Sequence, residues 1–201
     1  LWRKTSIESY QTDNPVWETV LDIDELAKIE DQNWVYKGVD CLAPEFNRCL
    51  MRLSYGGKDA VVVREFDLTN KVFIEDGFNT PESKQYLGWL NENQIMVATD
   101  FGEGSMNESG YPREVKVWNR GEPLSEAKTI FEGTYEKIFS FPFSSIRPDG
   151  SYFGVLEGPT FFTKVLYLMK DDELIELDLP LRMDVNGTFQ GSLILSLDQD
   201  W

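Results

Sequence analysis

Lys137-Ile138-Phe139-Ser140-Phe141-Pro142-Phe143 is followed by Ser151-Tyr152-Phe153-Gly154-Val155-Leu156-Glu157, and then by apolar runs over 161–169 and 173–178. Within these runs apolar and polar side chains alternate, and aromatic or β-branched residues dominate, which is the pattern of a half-buried strand. Pro148-Asp149-Gly150 supplies hairpin chemistry between the first two runs. Residues 137–179 therefore predict four consecutive antiparallel strands.

Working outward finds the same pattern in both directions. Predicted strands cover 18–22, 33–40, 48–54, 60–66, 71–75, 85–90, 94–99, 114–119 and 129–132 upstream, and 184–190 and 192–197 downstream. Gly56-Gly57 and Asn91-Glu92-Asn93 mark further reversals. Only Leu21–Glu30 reads as a helix, and Pro123–Lys128 as a single turn, so the fold class is all-β. The strand after each main turn or Gly/Asn-rich connection has its second residue at Leu50, Ile95, Tyr152 and Leu193, at intervals of 45, 57 and 41 residues. Propeller blades of four strands recur every ~40 to 50 residues. The long interval holds Asp100–Tyr111 (DFGEGSMNESGY), a polar insertion between the second and third strands of its copy.

The reading is a partial, open β-propeller of roughly four blades, each a four-stranded antiparallel sheet. Its parts are a half-blade over 1–22, blades over 33–75, 84–132 and 137–179, and a half-blade over 184–201. A β-sandwich is the competing architecture. A chain divided in this way starts and stops in mid-blade and opens on Leu1-Trp2-Arg3 without a Met, so it reads as an excised piece of a longer protein. Its half-blade edges offer a homodimer contact, with Ser192–Leu197 of one copy pairing with Trp2–Tyr10 of another.

Charge and composition narrow the function. Lys and Arg number 19 against 35 Asp and Glu, a net charge of −16, which disfavours nucleic acid and anionic membrane surfaces as partners. No apolar run reaches the roughly 18 to 20 residues of a spanning helix. There is no His, so neither a Ser–His–Asp triad nor a histidine-ligated zinc can be assembled within these residues. Two cysteines are too few for a thiolate zinc site. Neither a metal nor another cofactor is expected. Cys41 and Cys49 flank a Pro-containing turn. A disulfide between them is geometrically open, but the expectation is a pair of reduced thiols in a cytoplasmic protein, with a periplasmic setting the alternative.

Several local strings carry a resemblance. They are Trp2-Arg3-Lys4-Thr5-Ser6-Ile7-Glu8-Ser9-Tyr10, Trp17-Glu18-Thr19-Val20-Leu21-Asp22-Ile23-Asp24, Asn33-Trp34-Val35-Tyr36-Lys37-Gly38 and Val61-Val62-Val63-Arg64-Glu65-Phe66-Asp67. Thr99-Asp100-Phe101-Gly102 running on to Ser109-Gly110-Tyr111-Pro112-Arg113, with Asp184-Val185-Asn186-Gly187 and Leu193-Ile194-Leu195-Ser196-Leu197, extends it over nearly the whole chain. In order and spacing these resemble the N-terminal propeller of bacterial prolyl oligopeptidase-family serine peptidases. The resemblance implies a seven-bladed propeller that limits access of short peptides to an α/β-hydrolase domain, where a Ser–Asp–His triad cleaves after proline. No position here matches a triad motif, so the chain is expected to be inactive alone, with its own hydrolase domain and short peptides as partners. The resemblance places no substrate-binding residue on a particular number.

Several other residues invite chemical readings of their own. Gly102-Glu103-Gly104-Ser105-Met106-Asn107 fails the Gly-x-Ser-x-Gly spacing of a nucleophile elbow and precedes no helix, so Ser105 reads as part of a mobile loop. The carboxylates Asp22, Asp24, Glu25, Asp171, Asp172 and Glu173 raise a glycosidase as a rival enzyme, but their strings are those of solvated turns and caps. Asp198 and Asp200 read as exposed rather than as calcium ligands. Asn107-Glu108-Ser109 and Asn186-Gly187-Thr188 match the glycosylation pattern and read as coincidences. The aromatic residues could line a groove, but packing the sheet faces accounts for most of them. A protein-interaction propeller is the remaining rival.

Overall fold

The structure is a computed structural model that describes residues 1–198 and 200–201. The strands form antiparallel sheets in which sequence neighbours are, with one exception, also spatial neighbours. They divide between two compact units, one of residues 1–41 and 47–82, the other of 42–46 and 83–201.

In the first unit β1 (Trp2–Lys4) pairs with β2 (Glu18–Leu21), and a short helix α1 (Ile7–Tyr10) lies between them in sequence. Helix α2 (Ile23–Glu30) begins at Asp22, whose carboxylate accepts from the Asp24 and Glu25 N–H groups and so satisfies donors that the first turn leaves free. The main sheet runs β3 (Trp34–Cys41), β4 (Arg48–Tyr55), β5 (Val61–Asp67) and β6 (Val72–Phe73). A further strand, β7 (Thr80–Ser83), also pairs with β5. Ile23, Leu26, Trp34, Met51, Leu53 and Val62 form the core between α2 and this sheet. Glu65 is buried in the same unit, where its carboxylate accepts from the Phe78 N–H at 2.8 Å and faces Arg48 at 3.4 Å. A Cβ on Gly77 would lie 2.7 Å from the Glu65 Oε2, so the close approach requires glycine there.

The cysteine expectation is overturned in this unit. Register places Cys41 on β3 directly opposite Cys49 on β4, with the Cα atoms 4.0 Å apart, and the two are joined as a disulfide rather than kept as thiols. Directly opposed positions of an antiparallel pair send their side chains to one face, which brings the two sulfurs together.

In the second unit β8 (Tyr86–Asn91), β9 (Gln94–Ala98), β10 (Glu114–Asn119) and β11 (Lys128–Glu132) make one four-stranded sheet. The next holds β12 (Phe139–Arg147), β13 (Gly150–Thr160), β14 (Thr163–Lys170) and β15 (Glu173–Glu176). A two-stranded sheet of β16 (Met183–Phe189) and β17 (Ser192–Leu197) follows. Met96, Ala98, Val115 and Val155 pack between the two larger sheets, and Phe143, Leu166 and Met183 form a second cluster. Ser144 bonds across to the Trp89 carbonyl and Ser145 to Thr188, so the first strands of these three sheets are tied by hydroxyls. Apart from β7, which pairs back with β5, the strands of each sheet follow one another as a meander, and among the described residues there is no Greek-key crossing, which excludes the sandwich reading.

Candidate functional site

The residues with distinctive chemistry gather where β9 joins β10 and β13 joins β14, at the second-to-third-strand connections of successive sheets. The β9–β10 loop is held from inside. Ser105, 2 % exposed, accepts from the Phe101 N–H at 2.8 Å and donates to the Gly102 carbonyl at 2.7 Å, so its hydroxyl is committed to the loop. Asn107, 8 % exposed, donates to the Lys137 and Ile138 carbonyls at 2.9 and 2.6 Å, and its Oδ1 accepts from the Ser109 and Tyr111 N–H groups. Arg113 donates to the Gly104 carbonyl, to Glu132 at 3.0 Å and to the Gly133 carbonyl at 2.7 Å, with its guanidinium 4.5 Å from the Tyr135 ring centroid. These bonds replace the mobile loop expected from composition with a tightly fastened one.

Beneath the loop lies a buried acid. Glu157 on β13 faces Lys137 at 3.8 Å and the Tyr167 hydroxyl, and burial pushes its carboxyl above the ordinary range. Burial, with the neighbouring Glu157 and Glu176 carboxylates, pushes the Tyr167 phenol up to about 12. Gly133 leaves room for this cluster, since a Cβ there would lie 2.8 Å from the Ser140 Oγ and 3.0 Å from the Glu157 Oε1.

The outer side of the same region is aromatic and cationic. Lys84 donates to the Ser109 carbonyl at 3.0 Å and lies 4.2 Å from the Tyr111 ring centroid. Tyr111 meets Phe161 edge-on, with centroids 6.1 Å apart. Phe161 and its neighbour Phe162 form the tip of the β13–β14 hairpin. Beside them opens a cleft of about 340 Å³ that Lys164, Arg182, Asp184 and Asp198 also line. In the first unit a shallower groove of about 510 Å³ is bordered by Trp34, Arg64 and Phe73. There Glu30 takes hydrogen bonds from Trp34 at 2.8 Å and from Arg64 at 2.9 and 3.1 Å, while Arg64 covers the Phe73 ring at 3.7 Å. Those polar groups satisfy one another.

The other residues singled out in the sequence fall where turn and cap chemistry puts them. Asp22 caps α2, Asp24 and Glu25 occupy its exposed first turn, and Asp171, Asp172 and Glu173 sit on the exposed β14–β15 reversal. Asp198 and Asp200 are exposed, and among the described residues no cluster of acids and thiols could hold a metal ion. Asn107 is too buried and too fully bonded to accept a glycan, while the exposed Asn186 bonds Ser196 at 2.6 Å. The exposed Phe161-Phe162 tip escaped the sequence reading, which assigned both residues to the strand over 161–169. Its signal was local. Two consecutive Phe residues cannot both face the core from one strand, because successive side chains point to opposite faces.

Antiparallel four-stranded meanders that follow one another along the chain define a class, the blades of a β-propeller. Residues 1–172 match the family model of the prolyl oligopeptidase N-terminal β-propeller domain, and the chain belongs to that family. It is 41 % identical to an uncharacterised peptidase of Sinorhizobium fredii and 28 % identical to one of Rickettsia prowazekii, in both cases over all of this chain. Those matches cover 28 % and 30 % of the relatives, so the chain spans less than a third of their length. Among solved structures, a post-proline cleaving enzyme from Rickettsia typhi superposes with a TM-score of 0.89 at 29 % identity, over 100 % of this chain and 31 % of that one. Oligopeptidase B from Leishmania major, at 13 % identity and a TM-score of 0.66 over 95 % of this chain and 26 % of that one, shares the fold. The fold class is thus part of a prolyl oligopeptidase propeller.

Proposed function

We propose that this chain is the substrate-filtering, non-catalytic portion of a serine-type peptidase that cleaves short peptides after proline. The observation that carries the reading is the likeness, along its whole length, to a post-proline cleaving enzyme. The lack of His supports it, since the general base of a Ser–Asp–His triad must come from other residues of the peptidase. In this role the propeller selects by size, admitting a flexible peptide and turning away a folded protein. The Cys41–Cys49 disulfide supports the periplasmic setting over the cytoplasmic one, because cytosolic reductants keep most thiols reduced.

The test is selectivity. The complete gene product should hydrolyse benzyloxycarbonyl-Gly-Pro-p-nitroanilide and short proline-containing peptides and leave casein intact. Residues 1–201 alone should hydrolyse none of them. Cleavage of casein at the rate of the short peptides would remove the filtering role, and turnover by residues 1–201 would remove the non-catalytic one.

A further inference from the structure

The cleft beside the β13–β14 hairpin has three features that the propeller scaffold does not need. First, its wall is rigid. The Thr160 and Thr163 hydroxyls bond each other at 2.7 Å, and they accept from the Phe162 and Thr160 N–H groups at 3.2 and 3.1 Å, respectively. Second, this rigid tip holds Phe161 and Phe162 in water, 58 % and 81 % exposed. Large apolar side chains held out on an ordered turn mark a contact surface more than an accident of folding. Third, Arg182 on the same cleft is exposed, and its guanidinium has no hydrogen-bond or ion-pair partner among the described residues, in a chain of net charge −16.

The charges around Arg182 make the cleft selective. Lys164 is paired with Asp184, so those two neutralise each other. That leaves the Arg182 cation and the Asp198 carboxylate, on residues joined by a bond from the Asp198 N–H to the Arg182 carbonyl at 3.2 Å. An apolar wall with one cation and one anion complements a zwitterion that carries an apolar side chain. A cleft of about 340 Å³ lies at the small end of ligand pockets.

We propose that this cleft binds short peptides with free termini, the C-terminal carboxylate on Arg182, the ammonium toward Asp198 and an apolar or aromatic side chain against Phe161 and Phe162. Guanidinium is suited to the carboxylate because its planar fork can donate two parallel hydrogen bonds. The inference rests on the oligopeptidase reading, which makes short peptides the molecules this surface meets.

The test is calorimetric titration of the complete gene product with the proline-free tripeptide Gly-Gly-Phe and with its C-terminal amide. The free acid should bind at least ~10-fold more tightly than the amide. Arg182→Gln should abolish that preference, Arg182→Lys should restore part of it, and Phe162→Ser should weaken both ligands by about 5-fold. Equal affinity for acid and amide in the wild type, or no binding of either, overturns the proposal without recourse to any variant. A preference that survives in Arg182→Gln overturns it as well. Turnover of benzyloxycarbonyl-Gly-Pro-p-nitroanilide, which has neither terminus free, is read separately on the wild type. Its absence would count against the oligopeptidase reading, whereas the acid-to-amide ratio decides the cleft.

Discussion

The β9–β10 loop and the β13–β14 hairpin join the same pair of strands in successive sheets, yet their chemistry is inverted. The loop is polar in sequence and buries its polar groups: Ser105, Asn107 and Arg113 spend their donors and acceptors on its own backbone and on the Gly133, Lys137 and Ile138 carbonyls between β11 and β12. The hairpin is apolar at its tip and exposes it, with Phe161 and Phe162 in water and the threonine hydroxyls turned onto each other. Polarity alone therefore does not mark the functional segment. What separates the two is whether a side chain's bonding capacity is used up inside the fold or left facing out. By that measure the loop is structural and the hairpin is a contact surface.

The contrast breaks most readily at Asn107. Asn107→Ala removes two buried donors and leaves the Lys137 and Ile138 carbonyls and the Ser109 and Tyr111 N–H groups without it, so the expected loss of stability is about 3 kcal/mol. Hydrogen exchange at the Ser109 and Tyr111 amides should accelerate together. Wild-type protection at both would show that the loop is not held as described. Cys41→Ser or Cys49→Ser follows, at about 2 to 3 kcal/mol, from the chain entropy that the cross-link withholds from the unfolded state. Thiol titration of the unfolded, unreduced protein should find no free sulfhydryl, and two would restore the reduced-thiol expectation.

Glu157 sharpens the comparison through pH. Its carboxyl titrates above the ordinary value, so the folded chain keeps a proton that the unfolded chain has released. The stabilisation from that proton is complete below the ordinary carboxylate range and is lost as pH rises through the folded pKa. Glu157→Gln, which cannot ionise, should therefore gain stability relative to wild type as pH rises through that window. A parallel pair of melting-temperature curves would contradict this. The smallest effect belongs to the hairpin: Phe162→Ser should change stability by less than about 0.5 kcal/mol, because the ring is already in water. A larger loss would mean that the tip is core rather than contact surface.

Short-range patterning made most of the strands legible. β10 alternates polar and apolar residues, β4, β5, β8 and β9 are short, largely apolar runs bounded by turn residues, and α2 announces itself with Asp22 and an acidic first turn. What stayed hidden depends on partners far away in sequence. Thr80-Pro81-Glu82-Ser83 has no strand character of its own and becomes β7 by pairing with β5, where the Thr80 hydroxyl also accepts from the Val63 N–H at 3.2 Å. Helix α1 is too short to show a period and rests on the Ser6 cap. The predicted strand over 71–75 contracts to Val72–Phe73, because only Phe66 and Asp67 of β5 pair with it. The disulfide was left open because spacing alone does not fix register, and register is what sets Cys41 opposite Cys49. The cleft was equally invisible, since its walls come from the β13–β14 turn, the start of β16 and the end of β17.

Active-site labelling tests the proposal of a non-catalytic propeller most directly. The complete gene product is treated with a fluorophosphonate, which forms a covalent bond to an activated serine, and the labelled peptide is located by mass spectrometry. The expected result is one labelled serine outside residues 1–201, with loss of hydrolysis in step with labelling. A stoichiometric label on Ser105, or on any other serine within residues 1–201, would contradict it.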